Sequence, residues 1–384
     1  MKKSNILVVT RNLPPLVGGM ERLLWHVIDA LRHENNVHVV GPTGCREILP
    51  TDVHVVEVPS RSLTIFLFLA MLTTSRLAMH SKPSIILAGS GLMAPIVWIV
   101  ARLRRVACLV YLHGLDIRVA HGIYQRCWLP FFRHFDAVVV NSDFTRRLAV
   151  EAGVPHDRIH IVHPGVELPA MENAVERARL FRAQHDLGQG PVLLSVGRMT
   201  VRKGLSCFIE HIFPKVLSER PDVILVVIGG APVHALHGGA DEPARVDRLV
   251  NDLGFKQKIR FLGQCSDTIL CDAYFAADVL IFPVQESDSD IEGFGMVALE
   301  AAAHGLPTVA FSVGGVPDAV ADGLSGALIS PGANDEFARA VLALLQPYAK
   351  GLKKKECRNF AQTYAWTVFG EKILNKVRVA IYDR

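Results

Sequence analysis

The chain has 384 residues, of which half are hydrophobic and a fifth are charged. This length suggests two domains of average size, and the composition excludes an intrinsically disordered protein. The formal net charge of +4 is uneven, because residues 1–165 carry 18 Lys and Arg against 11 Asp and Glu. An anionic partner such as a membrane surface, a phosphorylated lipid or nucleic acid is therefore expected for this half.

The seven cysteines are scattered, and none forms a Cys-x-x-Cys pair. This pattern is typical of reduced thiols in the cytosol and argues against a disulfide frame or a zinc site. The opening MKKSNILVVTR has an apolar run of only Ile6 to Val9 before Arg11, too short for a signal peptide. No segment reaches the 18 or so uncharged apolar residues of a membrane span. We therefore expect a cytoplasmic protein, either free or peripheral on the inner face of the membrane.

Short β-branched runs alternate with helical stretches through both halves of the chain. Their continuous apolarity predicts strands that are buried on both faces, hence parallel sheets covered by helices. Seven runs fall in the first half: NILVVT, NVHVVG, VHVVEV, SIILAG, CLVYLHG, AVVVNS and IHIVHPG. Six follow in the second: PVLLSVGR, VILVVIGG, IRFLGQ, DVLIFPV, PTVAFS and SGALIS.

The first strand is followed by Gly18 and Gly19, just before a predicted helix near Met20. Glycines at this place let backbone amides approach an anion, although a plain tight turn explains them equally well. The turn lacks the Gly-x-Gly-x-x-Gly fingerprint, so no dinucleotide cofactor is indicated.

Two apolar stretches with basic flanks stand out in the first half, Ser62 to His80 and Leu92 to Arg105. One interpretation is core helices with solvated basic ends. The other is an interfacial surface that docks on anionic lipid. The sequence leaves both open.

The strand in YLHGLDIR ends at His113, which places His113 and Asp116 at the carboxyl edge of the first sheet. In doubly wound sheets ligands bind at this edge. His113 is therefore a candidate site residue, and Asp116 is a weaker one.

Three features of the second half point to a nucleotide site. Arg198 and Lys203 follow its first strand, and this pair of cations suits the oxygens of a diphosphate, with Arg202 as a substitute. Strand ends with glycine are expected to line a slot for a flat base: Gly229, Gly230, Gly263 and Gln264.

The third feature is IEGFGMVALEAAAHGLP, which starts at Ile291. Gly293 and Gly295 permit a tight backbone turn directly before an Ala-rich helix, which is predicted to end before Gly305. Glu292 then lies in the loop and Glu300 in the second helical turn. We expect the amides near Phe294, Gly295 and Met296 to receive phosphate oxygens while the two carboxylates accept hydrogen bonds from hydroxyl groups.

These landmarks, in this order, resemble the retaining GT-B glycosyltransferases of family 4. The resemblance rests on the Gly-Gly turn, the strand-end His, the segment G-R-x4-K, the segment E-x7-E and the C-terminal YAWTVFGEKI. It implies two doubly wound Rossmann-like domains that face each other across a cleft. The expected divisions are residues 1–168 for the acceptor, 169–364 for the nucleotide sugar, and 365–384 as a helix that packs back on the first domain.

The resemblance also implies roles. Gly18 and Gly19 would lie near the donor diphosphate and the acceptor. His113 would contact the donor sugar, and Arg198 and Lys203 would stabilise the leaving diphosphate. Glu292 would hold sugar hydroxyls, and Glu300 the nucleotide ribose.

The longer segment QESDSDIEGFG resembles the mannosyltransferase branch that acts on phosphatidylinositol mannosides, which favours GDP-mannose or a related donor. The implied acceptor is lipid-linked or an oligosaccharide, and the expected mechanism needs no metal. The Asp288-Ser289-Asp290 segment leaves a metal site open.

Three alternatives remain at this stage. A UDP-sugar-dependent transferase and a sugar-nucleotide epimerase share the expected fold, and a two-lobed module would bind sugar or nucleotide without turnover. Nucleic-acid binding is not expected, because the basic half lacks interleaved aromatic residues and any recognised motif.

Overall fold

The computed structural model describes residues 3–119, 121–230, 241–286 and 290–382, with the backbone alone over residues 347–353. The chain divides into two compact units. Unit 1 comprises Met1–Gly165, Asp288–Gly293 and Trp366–Arg384, and unit 2 comprises Val166–Ser287 and Phe294–Ala365.

Unit 1 is built on a seven-stranded parallel sheet with the order β3-β2-β1-β4-β5-β6-β7. Its strands are β1 Asn5–Val9, β2 Asn36–Pro42, β3 His54–Val58, β4 Ile85–Ala88, β5 Ala107–Leu112, β6 Ala137–Val140 and β7 Ile159–Ile161. Its helices within residues 1–165 are α1 Gly19–Arg32, α2 Leu63–Ser81, α3 Ala94–Arg104, α4 Gly122–Cys127, α5 Leu129–Phe132 and α6 Asp143–Glu151.

Unit 2 repeats the design with a six-stranded parallel sheet of order β10-β9-β8-β11-β12-β13. Its strands are β8 Val192–Val196, β9 Ile224–Ile228, β10 Ile259–Gly263, β11 Val279–Phe282, β12 Thr308–Phe311 and β13 Gly326–Ile329. Its helices are α7 Ala174–Gln184, α8 Leu205–Cys207, α9 Phe213–Glu219, α10 Glu242–Asp252, α11 Asp267–Ala276, α12 Met296–Ala303, α13 Val316–Ala319, α14 Asn334–Leu344 and α15 Pro347–Gln362. The prediction of two doubly wound parallel sheets is confirmed.

The last helix, α16 Trp366–Tyr382, belongs to unit 1 and packs against α1. Phe369 is buried there, and the His26 and Trp366 rings stack at 3.6 Å between centroids. The close approach of the helices is possible because Gly370 has no side chain, since a Cβ at this position would lie 3.1 Å from Ala30 Cβ.

The side chains of alternate residues in the central strand β1 pack into two separate hydrophobic cores. Leu7 and Val9 join the core that contains residues of α2 and α3. Ile6 and Val8 join the core that contains residues of α1 and α16. Period-two side-chain geometry therefore explains why Ile6 to Val9 are all apolar, whereas Asn5 at the start of the strand is polar.

One helix corrects the expectation about membrane spans. Among the described residues, α2 is long and apolar enough to cross a membrane by length and composition alone, with a mean hydropathy of 1.4. Its residues Phe66, Ala70 and Ala78 nevertheless lie in a core of unit 1. Only 22% of its apolar window is buried, so most of this helix surface faces outward.

The packing of α16 gives a stability prediction. Phe369→Ala is expected to lower the free energy of unfolding by about 3–5 kcal/mol, because it removes a buried aromatic ring and leaves a cavity against α1. Denaturant unfolding of the full chain measures the loss. The control Val379→Ala changes an exposed residue of the same helix and should stay within about 0.5 kcal/mol. Equal losses of unfolding free energy in the two variants would contradict the burial of Phe369 in the core of unit 1.

Candidate active site

His113 directly follows β5 at the carboxyl edge of the unit 1 sheet and is only 5% exposed. Its Nε2 lies 2.9 Å from the carbonyl oxygen of Gly89, and its ring stacks on Tyr111 with 4.9 Å between centroids. Because a carbonyl oxygen only accepts hydrogen bonds, Nε2 carries the proton in this contact. A ring protonated only on Nε2 presents Nδ1 as an acceptor, which suits a hydroxyl group of a ligand.

Asp116 holds the strand end that carries His113. Its Oδ1 accepts a hydrogen bond from the His113 backbone amide at 2.8 Å, and its Oδ2 accepts one from the Gly91 amide at 2.9 Å. One carboxylate thus ties the end of β5 to the turn after β4. The sequence left the role of Asp116 open, and the structure makes it a positioning residue.

The segment that carries Glu292 lies against the same strand end. Asn141 Nδ2 donates to the His113 carbonyl oxygen at 3.3 Å, and a Cβ on Gly293 would clash with that oxygen. Gly293 is therefore required for this close approach. Glu292 is half-buried in the loop, as its sequence position predicted. The neighbouring Asp288 lies outside the described residues.

The Gly18-Gly19 turn contains a carboxylate that the sequence analysis did not single out. Glu21 is buried, and its Oε1 accepts a hydrogen bond from Asn12 Nδ2 at 3.0 Å. A Cβ on Gly18 would clash with Glu21 Oε2, so the carboxylate lies directly over the glycine. The oxygens of this carboxylate can also accept hydrogen bonds from hydroxyl groups of a ligand at the turn.

In unit 2, Arg198 and Lys203 line one small cavity of about 10 Å³ at the carboxyl end of β8. The Lys203 ammonium lies 4.8 Å from the centroid of the Phe282 ring, a cation–π contact. Gly204 has a φ of 71°, and a Cβ there would clash with the Pro283 carbonyl oxygen. This glycine therefore lets the turn that carries Lys203 fold tightly onto the end of β11.

The third cation of this turn behaves differently. Arg202 is buried, whereas Arg198 is exposed. The backbone carbonyl of Arg202 accepts a hydrogen bond from the Gln285 amide at 2.8 Å. The structure therefore brings Arg198 and Lys203 to the cavity and places Arg202 inside the fold.

Backbone hydrogen bonds join the strand ends that were predicted to line a slot for the nucleotide base. The Gly229 amide donates to the Gly263 carbonyl at 2.7 Å, and the Gly197 amide donates to the Ile228 carbonyl at 2.9 Å. Gly229 has a φ of 126°, and a Cβ on it would clash with the Gly197 carbonyl oxygen. Gln264 is exposed beside this edge, and its Cγ would lie 3.7 Å from a Cβ on Gly230.

The helix α12 begins at Met296 after Gly295, whose φ of 105° requires glycine in practice. The side chain of Phe294 is buried, so only its backbone faces the helix start. Glu300 is the fifth residue of α12, and its Oε2 accepts a hydrogen bond from the Tyr274 hydroxyl at 3.0 Å. Tyr274 is thus a positioning residue that sequence reasoning missed, because it lies 26 residues away on α11.

His304 anchors the other end of α12. Its Nδ1 lies 2.8 Å from the Glu300 carbonyl oxygen, and its Nε2 lies 3.1 Å from Cys271 Sγ. Burial lowers the pKa of His304 to about 4, although the contact with the Glu300 carbonyl opposes this shift. The helix that presents Glu300 therefore rests on a histidine that stays neutral near pH 7.

Comparisons with known proteins match a segment of each unit to a family of enzymes. Residues 190–347 match the family model described as "Glycosyl transferases group 1", and residues 17–169 match the model "Glycosyltransferase Family 4". The two models together span most of both units. Each unit thus contains a segment that matches a glycosyltransferase family model, and these matches support a transferase enzyme.

Individual relatives agree with this assignment. A curated D-inositol 3-phosphate glycosyltransferase of Mycobacterium marinum is 32% identical over 256 residues, which cover 65% of this chain and 51% of that protein. The chain thus spans about half the length of the curated relatives it matches.

Solved structures agree on the fold. A glycosyltransferase from Rickettsia africae has a TM-score of 0.83 at 18% identity and covers both chains fully. Anabaena HepE in complex with UDP has a TM-score of 0.81 at 19% identity and covers 97% of this chain and 99% of its own. The GT-B fold expected from the sequence is confirmed.

The buried histidine behind α12 gives a pH prediction. Because the folded-state pKa of His304 is lower than its ordinary value of 6.5, the unfolded chain binds the proton first as the pH falls. Stability is therefore expected to fall between about pH 6.5 and pH 4, by up to about 1.4 kcal/mol per pH unit from this group. Denaturant unfolding at about pH 7 and about pH 5 should show a smaller difference for His304→Gln than for the unmodified chain.

The control for this experiment is His211→Gln, which changes an exposed histidine of the same unit. It should keep the pH dependence of the unmodified chain. An unchanged pH dependence in His304→Gln would show that His304 is protonated equally in the folded and unfolded states.

Proposed function

We propose that the chain is a retaining glycosyltransferase that moves a hexosyl unit, mannose or a related sugar, from a nucleotide sugar to a lipid-linked or polysaccharide acceptor. Such a reaction belongs to the synthesis of cell-envelope glycans. The observation that carries the proposal is the pairing of Arg198 and Lys203 on one cavity. Both residues lie within the segment that the group 1 glycosyltransferase model matches.

The chemistry of transfer explains why two cations are needed. Breaking the bond between sugar and phosphate develops negative charge on the departing diphosphate and positive character on the sugar. Arg198 offers a planar fork to the phosphate oxygens, and Lys203 offers a point charge. Lys203 is already held by its turn and by the Phe282 ring, so little reorganisation is required as the charge develops.

The start of α12 supplies a second source of positive potential. The first amides of an α-helix have no partner within the helix, and the helix dipole adds partial positive charge at this end. The backbone from Phe294 to Met296 is suited to phosphate oxygens for this reason. Glu300 then accepts hydrogen bonds from the ribose, with Tyr274 fixing its carboxylate.

Unit 1 supplies side chains that are suited to hydrogen-bond the hydroxyl groups of the substrates. His113 presents Nδ1 at a strand end held by Asp116, and Glu292 lies in the segment seated against that end. We assign both to the donor sugar. Glu21, above the Gly18-Gly19 turn, is suited to a hydroxyl of the acceptor.

We propose that the configuration of the sugar is retained because the acceptor hydroxyl attacks from the same face of the sugar that the diphosphate leaves. The departing phosphate oxygen then takes the proton of the acceptor hydroxyl. In this scheme Glu292 and Glu300 hold hydroxyl groups and do not act as a catalytic acid and base.

We propose that the cations at the diphosphate replace the metal ion that many transferases use. Arg198 and Lys203 supply the two positive charges that the leaving group needs. Asp290 is described, but its partner in the Asp-Ser-Asp segment, Asp288, lies outside the described residues.

The donor base is proposed to be guanine, on the resemblance of the segment before α12 to the mannosyltransferase branch. A UDP-sugar is the second candidate, because HepE, which shares the fold, is known in complex with UDP. The basic first half suits an anionic acceptor. The relative named as acting on D-inositol 3-phosphate supports a phosphorylated or lipid-linked polyol as this acceptor.

The site assignment predicts the effect of two substitutions. Lys203→Ala and Glu292→Ala are each expected to lower kcat by about 10²-fold or more, because each removes a preorganised charge from the reacting centre. Steady-state kinetics with the active donor measure this loss, and thermal unfolding tests whether the fold survives. The matched control Lys256→Ala removes an exposed lysine of unit 2 and should leave kcat unchanged. Near-normal turnover in both site variants would overturn the assignment.

The reaction itself is tested with a panel of GDP-, UDP- and ADP-sugars. The expected result is a thermal shift with a GDP-sugar, slow hydrolysis of that donor without acceptor, and transfer when a phosphorylated polyol or lipid-linked acceptor is added. Turnover should persist in excess EDTA. Preference for UDP-sugars would establish the second candidate. Conversion of the donor into its epimer would instead identify a sugar-nucleotide epimerase, and binding without turnover a non-catalytic module.

A further inference from the structure

A second cavity of unit 2 lies away from the residues assigned to the diphosphate. Its volume is about 180 Å³, and it is lined by residues of α7, α11 and α15 and by the turn of residues 304–306 after α12. Ala277 precedes β11 and Leu306 precedes β12, so the cavity lies at the amino edge of the parallel sheet. Arg198 and Lys203 follow β8 at the opposite edge. This space is called here the rear cavity.

The wall of the rear cavity is mostly apolar and partly aromatic. Tyr274 and Phe275 of α11 line it together with His304, whose ring centroid lies 4.8 Å from that of each neighbour. Alanine side chains supply much of the remaining wall: Ala174, Ala178 and Ala277. An apolar cavity of roughly 150 Å³ is known to accommodate benzene. The rear cavity is therefore large enough for one aromatic ring.

One cation lines the same space. Lys354 of α15 belongs to the wall, and among the residues that the structure describes it has no ion pair. Gly305 lets this part of α15 lie close, because a Cβ on Gly305 would be 3.3 Å from the Lys354 carbonyl oxygen. An apolar cavity with one placed charge is typical of a site for a small amphipathic molecule of opposite charge.

Two guanidinium groups lie near the inner wall. Arg358 Nη1 donates to the Ala303 carbonyl oxygen at 2.8 Å, and Arg177 is paired with Asp272. Burial is the main reason why the pKa of His304 is low, and the positive charges of Arg177 and Arg358 lower it further. These two cations offset the partial negative charge that the helix dipole places at the end of α12. An anion at this wall is therefore not opposed by the helix end alone.

Two wall residues of the rear cavity also hold Glu300. The Tyr274 hydroxyl donates to Glu300 Oε2 at 3.0 Å, and His304 Nδ1 lies 2.8 Å from the Glu300 backbone carbonyl oxygen. The helix α12 has eight residues, which corresponds to a length of about 12 Å. Direct contacts over a short distance thus join the rear cavity to the residue assigned to the ribose.

We propose that the rear cavity binds a small aromatic acid and that its occupancy strengthens nucleotide binding to unit 2. The ring of the acid packs against Tyr274, Phe275 and His304, and its carboxylate lies beside Lys354. A filled cavity restricts the rings of Tyr274 and His304, so the Glu300 carboxylate stays in place for the ribose. The binding of the acid rests on the cavity alone, whereas its coupling to the nucleotide rests also on the proposed function.

Size and charge disfavour two other occupants. A second nucleotide does not fit, because sites for ligands of that size have volumes of roughly 300–1,000 Å³. A wholly apolar molecule fills the space but leaves Lys354 without an anionic partner.

The probe for the test is benzoate, which combines one ring with one carboxylate. Fluorine NMR of 4-fluorobenzoate with the full chain should show saturable line broadening. Benzyl alcohol lacks the charge and acetate lacks the ring, so each should displace the probe about tenfold less effectively than benzoate. Absence of saturable binding would overturn the proposal. Equal displacement by benzyl alcohol and benzoate would contradict the role of Lys354.

Two substitutions locate the bound probe. Ala178→Phe fills the cavity and Lys354→Gln removes its cation, so each should weaken binding of 4-fluorobenzoate about tenfold or more. The matched controls Ala183→Phe and Lys355→Gln change exposed residues of the same two helices and should bind normally. Lys354→Gln keeps the test decisive if Ala178→Phe fails to fold. Unchanged binding in Lys354→Gln would show that the acid binds elsewhere and would overturn the site.

The coupling is measured by calorimetry with GDP and UDP, with and without saturating benzoate. Benzoate should tighten binding of the preferred nucleotide at least about fivefold, and the nucleotide should tighten benzoate binding by the same factor, because coupling is reciprocal. Tyr274→Phe keeps the wall ring but removes the hydroxyl that holds Glu300. It should therefore bind 4-fluorobenzoate normally and lose most of the coupling.

The outcomes separate the two parts of the proposal. Equal nucleotide affinity with and without benzoate would overturn the coupling, and full coupling in Tyr274→Phe would overturn the route through Tyr274. If neither nucleotide binds while 4-fluorobenzoate does, the proposed function and the coupling are both contradicted and the site for the acid stands.

Discussion

The parallel strands of both sheets are covered by helices on both faces, and this two-sided burial governs where chemistry is possible. Along β1, the neighbouring residues Ile6 to Val9 enter alternate cores, so none of these four positions is available for a polar side chain. The polar side chains of the candidate site accordingly lie beyond the strand ends. His113 follows β5 and Arg198 follows β8, each within two residues of a buried strand.

At those ends the backbone itself does much of the positioning. Gly293 lies against the His113 carbonyl, and Gly229 lies against the Gly197 carbonyl, with no room for a side chain in either case. Carboxylates then hold the backbone from the side, as Asp116 does for the amides of Gly91 and His113. The groups assigned to substrate therefore rest on contacts that leave them little freedom, which is the condition for electrostatic stabilisation without reorganisation.

Much of this arrangement could be predicted from the sequence because its signals are local. Continuous apolar runs identified the strands, and a residue that follows such a run must lie at a sheet edge, which placed His113, Arg198 and Lys203. The glycines before an Ala-rich run likewise located the start of α12 and separated Glu292 from Glu300.

The rest depends on residues that are distant in the chain or on geometry that spacing does not encode. Tyr274 reaches Glu300 from another helix, and Asp116 reaches Gly91 from another strand end. Glu21 is only three residues from Gly18, but its orientation over the glycine results from the hydrogen bond to Asn12. Burial also distinguished Arg202 from Arg198, although the two are equally basic in the sequence. The exposed side of α2 could not be separated from core packing by hydropathy, because both sides of that helix are apolar.

The assignment of α16 to unit 1 has a consequence for the order of synthesis. The chain emerges from the ribosome from its first residue, yet the core that contains residues of α1 is completed only by Phe369 and its neighbours in α16. Part of the apolar side of α1 packs on the sheet, but the part that faces α16 remains uncovered while unit 2 is translated. The incomplete core of unit 1 is exposed to misassembly during this interval, and α16 completes that core only after unit 2 has been translated.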